Sequence, residues 1–373
     1  MLSPLVGGRL TPLPYPQHVD GRAAPVCIST RALQKRFPVH RALWEILRHP
    51  LQRPETTVLH GVTVDIRQGE LFGVLGLNGA GKTTLLKLIG AVLHPDAGSA
   101  TVDGFDVVTQ AAAVRQGLAL VTADERSLHW RLSALENLRL FAGLHGMARH
   151  VADERIRDVL DAVGLGDTGR KMAGAFSSGM KQRLLVARAL LAQPRILLLD
   201  EPTRSLDPLS AHAFRRMLRD VLIGERGTTV VLATHNTDEA FAYCDRVAVL
   251  HRGAIAAIGS AGELGSRFLP DRYQAWTSRA DHPAFPSLAQ AGRITDVVRS
   301  VPDAPDMAVT FDIPGGEHAA THVLRALVEA GVPVSRFERV PVALSELIER
   351  IAAEHDATQA QGAVPPPRTV SHA

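Results

Sequence analysis

No feature constrains this chain more than the run Gly76, Leu77, Asn78, Gly79, Ala80, Gly81, Lys82, Thr83, Thr84. It follows a short apolar stretch, Leu71 to Leu75, that reads as a buried strand, and it precedes a helical pattern beginning about Thr84. Strand, glycine-rich turn, lysine, hydroxyl and helix in that order make a phosphate cradle and place the surrounding chain in the α/β class. The glycines let successive backbone N–H groups face inward, and the helix N-terminus adds partial positive charge toward a bound anion. Lys82 is placed to reach terminal phosphates as a point charge, and the Thr83 hydroxyl to hold a magnesium ion that bridges them. A glycine-rich turn with a chance lysine is the alternative, and the flanking strand and helix argue against it.

Two more apolar strands end in polar groups. Ile196 to Leu199 runs into Asp200 and Glu201, carrying two carboxylates to the carboxyl edge of a buried sheet, where folds of this class bind ligands. Asp200 suits a metal's coordination sphere, and Glu201 suits a base that orients or deprotonates an attacking water. Thr229 to Ala233 ends at Thr234 and His235, which sets an imidazole on the same edge, beside a γ-phosphate. A lone histidine is more often structural, and this strand-end position is what favours a functional reading.

Around these motifs the chain divides. Residues 1 to about 25 carry Pro4, Pro12, Pro14, Pro16 and Pro25 with few periodic apolar positions, and read as a disordered leader. From Val26 to about Ser260 strands and helices alternate densely, as in one layered domain. Residues 261–355 show apolar alternation at Ile294 to Val298 and Met307 to Phe311, then helical periodicity at Ala319 to Ala330 and Val342 to Ala353. They read as a small α+β accessory domain of unassigned role, followed by a loose tail over 356–373.

Composition excludes more than it assigns. Basic and acidic residues nearly cancel, 41 against 38, and no lysine or arginine block tracks a phosphate backbone, so no nucleic-acid partner is expected. The longest apolar run, near Val186 to Leu199, is interrupted by Arg188, Gln193, Pro194 and Arg195 and falls short of the ~20 apolar residues a spanning helix needs. Neither a membrane-crossing helix nor a secretory signal is expected. Cys27 and Cys244 sit far apart in apolar surroundings, which fits reduced, buried thiols better than a disulfide.

The order of these elements over residues 26–260 resembles the nucleotide-binding subunit of ATP-binding-cassette (ABC) transporters. Gly76 to Thr84 is similar to their Walker A, Ile196 to Glu201 to their Walker B, and Phe176, Ser177, Ser178, Gly179, Met180 to their signature segment, usually LSGGQ. Ser205, Leu206 and Asp207 look like the D-loop. The resemblance implies a P-loop NTPase core with an antiparallel β subdomain and a helical signature subdomain. It further implies ATP and Mg2+ as cofactors, and a homodimer, or a heterodimer with another cassette, closing on two nucleotides so that each signature serves the other subunit's ATP. Asp200 would hold magnesium, Glu201 would be the catalytic carboxylate, and His235 would sense γ-phosphate. Phe37 would stack on adenine, with Trp44 as the fallback and a simple core phenylalanine as the alternative. The partner would be a separate transmembrane permease, with the chain peripheral on the cytoplasmic face of the membrane.

Three departures qualify the resemblance. After the strand Leu118 to Thr122 the family expects glutamine, whereas this chain reads Ala123, Asp124, Glu125, Arg126; Asp124 or Glu125 could still offer oxygen to a hard cation. Ser178 replaces the first glycine of the signature and Met180 its glutamine, a variation that resembles type 2 exporters, and the insertion Val39 to Thr57 resembles one found in the subset that exports polysaccharides or polyol phosphates, a natural-product export subgroup being the other resemblance. The segment Val39 to Thr57 is long and carries Leu43, Trp44, Ile46 and Leu47 among basic residues, as an amphipathic helix would. The leading reading is the energy-coupling ATPase of a two-component exporter. A soluble mechanical ATPase and a regulatory cassette with weak hydrolysis are the alternatives; one P-loop without sustained heptads argues against the first, and intact Lys82, Asp200, Glu201 and His235 against the second.

Overall fold

The structure, a computed structural model, describes residues 24–39, 54–122, 127–300, 307–314, 316–340 and 342–362. The proposed leader up to residue 23, the insertion's residues 40–53 with Trp44, the acidic pair Asp124 and Glu125, and the tail beyond 362 lie outside the described residues. The chain divides into two compact units, residues 1–261 and 262–373.

In the first unit, an antiparallel sheet comprises β1 (Val26–Pro38), β2 (Glu55–Arg67), β4 (Ala97–Val102) and β5 (Phe105–Asp106), in the order β2-β1-β4-β5. A second sheet comprises β3 (Leu71–Leu75), β6 (Leu118–Thr122), β7 (Ile196–Asp200), β8 (Thr229–Thr234), β9 (Arg246–His251) and β10 (Ala254–Gly259), in the order β10-β9-β3-β8-β7-β6. Every residue of β3, β7 and β8 is buried, because central parallel strands are covered on both faces; that is why they read as unbroken apolar runs. Their registers pair Leu75 with Thr234, Asp200 with Ala233 and Thr122 with Asp200, so their carboxyl ends finish along one edge.

One core joins the two sheets through the helix Lys82–Ile89. Ile28, Leu33, Val62 and Ile66 of the antiparallel sheet, Leu85, Leu86 and Ile89 of the helix, and Val74, Leu198 and Val231 of the parallel sheet pack in a single buried cluster. Each such side chain stabilises the fold by about 1.5–3 kcal/mol, which fixes the helix that carries the cradle. Cys27 and Cys244 are free and buried, as expected, and burial pushes the Cys27 thiol up to about 11, leaving it unreactive near neutrality.

Between β6 and β7 stand the helices Ala134–Leu144, Arg149–Ala162 and Ser178–Leu190. The first opens on a capping box in which Ser133 and Glu136 satisfy each other's backbone N–H. This helical region is tied to the core by Arg226, whose two terminal nitrogens donate to Asp158 at 3.1 and 2.7 Å.

The second unit is an antiparallel sheet of β11 (Asp271–Thr277), β12 (Thr295–Ser300), β13 (Met307–Ile313) and β14 (Val334–Arg339), in the order β12-β13-β11-β14. With the helices Ala284–Gln290 and Gly316–Glu329 it runs β-α-β-β-α-β, the split βαβ arrangement of ferredoxin-like folds. Tyr273 stacks on Phe337 at 5.2 Å, and Phe285, Phe311 and Leu327 complete the core. The helix read over Val342 to Ala353 spans Leu344–Gly362 instead, so the expected loose tail is helical as far as 362; Ala357, Gln359 and Ala360 are residues that favour its continuation.

Candidate nucleotide-binding site

The phosphate cradle takes its shape from close backbone approaches. A Cβ on Gly76 would lie 2.4 Å from the Leu250 carbonyl oxygen, so the loop runs tight against β9. Gly81 caps the following helix at φ 104°, a conformation glycine adopts without strain. The helix starts at Lys82, two residues before the expected Thr84, because the first turn needs no side-chain periodicity to form. Lys82 and Thr83 therefore occupy its first turn, where backbone N–H groups have no intrahelical acceptor and can face an anion. The buried Lys82 ammonium donates to the carbonyls of Gly76 at 2.8 Å and Leu77 at 3.2 Å.

The strand-end acids close on this loop. Thr83 Oγ1 donates to Asp200 Oδ2 at 2.8 Å, while Asp200 Oδ1 is buried without a hydrogen-bond partner. Burial pushes the Asp200 carboxyl above the usual carboxylate range; the Thr83 hydroxyl opposes that shift, and the neighbouring Glu201 charge adds to it. A buried carboxylate with one oxygen unpaired, joined to a hydroxyl at the mouth of a phosphate cradle, is a donor set that fits Mg2+.

Glu201 adopts φ 51°, an uncommon conformation for a side-chain-bearing residue and one that is retained where surrounding contacts enforce it. Its backbone N–H donates to Ala233 O at 2.9 Å, which ties the turn after β7 to the end of β8. Glu201 Oε2 lies 2.6 Å from His235 Nδ1, and Oε1 lies 3.1 Å from Lys82 Nζ, an ion pair outside hydrogen-bond geometry. Lys82, Glu201 and His235, from three separate segments, thus form one contiguous polar chain.

The signature segment presents a helix terminus. Ser177 is exposed and caps Ser178–Leu190, its Oγ accepting from Met180 N at 3.3 Å, while Phe176 and Gly179 are buried. A Cβ on Gly179 would come 3.1 Å from Ser210, so this helix packs closely on Pro208–Met217. Ser205, Leu206 and Asp207 lead into that second helix, where Asp207 Oδ1 accepts from Ser210 N at 3.0 Å. Hydrogen bonds from the Ser210 side chain and backbone hold the Asp207 carboxyl below the usual range. Phe37 is half-buried on β1 opposite Thr56, with the Lys35 ammonium 5.5 Å from its ring centre. The adjacent β2 borders the cradle, since Val58 and Leu59 are the atoms a Gly81 Cβ would meet. No short motif marks Glu239; the only local signal is the cap, Asn236, whose side chain accepts from Glu239 N three residues on, at the start of the helix Thr237–Tyr243.

Comparison with known proteins bears on the family of the chain. A family model described as ABC transporter matches residues 59–204. The chain is similar to the ABC transporter ATP-binding protein NatA of Bacillus subtilis, 39% identical over 203 residues, covering 54% of this chain and 82% of that protein. It is also similar to the daunorubicin resistance ATP-binding protein DrrA3 of Streptomyces coeruleorubidus, 37% identical over 276 residues, covering 74% of this chain and 84% of the other. A solved structure of an ATP binding subunit of an ABC transporter superposes with a TM-score of 0.52 at 27% identity, covering 65% of this chain and 93% of that one.

Proposed function

The chain belongs to the ABC transporter ATP-binding family, and from that premise we propose that it hydrolyses MgATP to drive export of a small natural product through a separate membrane-spanning partner. The observation that carries this reading is the convergence of Thr83, the neighbouring pair Asp200 and Glu201, and His235 on the cradle, from three segments at the sheet's carboxyl edge. Thr83 and Asp200 would hold magnesium, and Asp124 or Glu125 follows β6 two or three residues beyond Thr122, which pairs with Asp200. Bound there, magnesium would neutralise charge on the β- and γ-phosphates.

The chain's own residues supply the rest. Lys82 exchanges its carbonyl partners for phosphate oxygens, and Phe37 offers a flat face to adenine. Glu201 orients a water and accepts its proton, while His235, sharing Glu201 Oε2, fixes the carboxylate's direction. The Ser177-capped helix would complete the site from a second cassette, its terminus directed at the other subunit's phosphates.

No helix among the described residues is long and apolar enough to cross a membrane, and the relatives are named as ATP-binding proteins, which supports a membrane path on another chain and a peripheral place at the cytoplasmic face. Trp130 and Met172, 63% and 61% exposed, lie on adjoining segments joined by the Ser133–Met172 bridge and by Gly174 N donating to Trp130 O at 2.9 Å. Large apolar side chains exposed on adjoining segments suit a protein partner. The natural-product cargo follows the daunorubicin resistance named for DrrA3. The test is affinity purification of the tagged chain from detergent-solubilised membranes: recovery of an integral membrane protein that is lost with Trp130→Glu is expected. Recovery of ribosomes or DNA instead would overturn the transport reading.

A further inference from the structure

Glu239, on the short helix Thr237–Tyr243, has a side chain with no solvent exposure. The Thr203 hydroxyl lies 2.8 and 2.9 Å from its two carboxylate oxygens, and Thr234 Oγ1 donates to the same Oε2 at 2.8 Å. Its cationic neighbour is Arg215, at 3.8 Å. Asn236 closes the knot: its backbone N–H donates to Thr234 Oγ1 at 3.0 Å, and its side-chain oxygen accepts from Glu239 N at 3.0 Å. Burying a carboxylate is costly, so its hydrogen-bond donors are held firmly wherever the group persists.

The positions of the two threonines give this cluster its meaning. Thr203 stands two residues after Glu201 and two before Ser205; Thr234 immediately precedes His235. One buried carboxylate therefore fastens both segments whose neighbouring residues meet in the 2.6 Å contact between Glu201 and His235. Glu201 also holds φ 51°, a backbone state that needs enforcement from outside the residue, and the Thr203 anchor lies within the turn that provides it.

We infer that Glu239 is a positioning residue for the hydrolytic site, locking the segment after β7 and the segment after β8 into one unit so that Glu201 and His235 act together. A displacement of either segment is transmitted to the other through the shared Oε2, which links the stretch Ser205 to Asp207 to the imidazole. The inference rests on the ATPase reading for its catalytic consequence and on geometry alone for the clamp.

Two measurements on the full chain test it. Hydrogen exchange in Glu239→Gln, which keeps the volume but not the paired acceptors, is expected to quicken at least tenfold over 201–207 and 234–239 while the helix Lys82–Ile89 is unchanged. Thr203→Val and Thr234→Val, near-isosteric changes away from the carboxylate, are expected to loosen both segments as well. With the partner present, kcat for ATP should fall at least tenfold in Glu239→Gln with KM within twofold. In a His235→Ala background the same change should cost less than twofold further. Unchanged exchange at the two segments, exchange raised equally throughout the unit, or the same fold-loss in both backgrounds would overturn the proposal. Absence of ATPase in the unmodified protein would instead refute the function proposed above, and the exchange measurement would still decide the clamp.

Discussion

Replacing Asp200 with asparagine should make the nucleotide-free protein more stable while abolishing its use of metal. The carboxyl of Asp200 is raised by burial, a shift that Glu201 reinforces and that the Thr83 hydroxyl and the charges of Lys82 and Lys87 only partly oppose, so the charged form is disfavoured in the fold relative to the unfolded chain. Asparagine keeps an oxygen for the Thr83 hydroxyl, at a loss of about 1 kcal/mol as a charge-assisted bond becomes a neutral one. Removing the buried charge recovers more than that, because the desolvation of an ion costs several kcal/mol before compensation. A net gain of about 1 kcal/mol is expected near neutral pH, a rise in Tm of about 2–4 °C for a domain of this size. A raised carboxyl contributes stability that is present below its unfolded value and lost as pH rises through its folded value, so the variant's advantage should shrink toward zero on acidification to about pH 4. Saturating MgATP should invert the order: a ligand at a hundred times its dissociation constant stabilises the wild type by about 2.7 kcal/mol, and the variant gains little. Thermal melts with and without MgATP measure all of this. A variant melting below the wild type without ligand, or showing the full MgATP shift, would refute the assignment of Asp200 as a strained, metal-directed acid.

Ser177→Ala removes a helix cap and should cost about 0.5–2 kcal/mol in urea melts, with a larger proportional loss of ATPase if this helix end serves a second cassette's phosphates. Gly76→Ala would drive a Cβ to 2.4 Å from the Leu250 carbonyl; a destabilisation of about 1–3 kcal/mol with loss of ATP affinity by calorimetry is expected. In the second unit Arg272 forks onto both the buried Asp312 and Glu346, and Arg350 still donates to both acids when Arg272 is removed, so Arg272→Ala should destabilise that unit by about 1.5–3 kcal/mol in hydrogen exchange of β11 and β13. The Arg272 guanidinium holds the Glu346 carboxyl low, so this contribution is present above the ordinary carboxylate range and fades as pH falls below about 4.

What the sequence disclosed follows from the range of the forces involved. The cradle, Asp200, Glu201 and His235 were legible because each lies on or just after a buried parallel strand, whose apolar run marks where the sheet's edge must be. Glu239 was not, because its meaning depends on Thr203, 36 residues earlier, and on a register that only folding supplies. In the second unit β12 and β13 announced themselves by apolar alternation. β11 and β14 were hidden, since their outward positions carry Arg272, Gln274, Arg336 and Glu338 and leave too few apolar residues to register a period. Pro283 and Pro286 concealed the helix Ala284–Gln290 in the same way, although proline is compatible with a first helical turn. The signature's departures, Ser178 and Met180, proved consistent with a capped terminus because the cap itself is Ser177 and the close contact needs only Gly179.

The account stands or falls on Glu201. Steady-state ATPase of the wild type and of Glu201→Gln, measured with the membrane partner beside nucleotide binding, tests it most directly, because the amide keeps the side chain's shape and removes its capacity to accept a proton. The geometry predicts that kcat falls by about 10²–10⁴-fold while ATP binding persists. Turnover at the native rate in Glu201→Gln would contradict it.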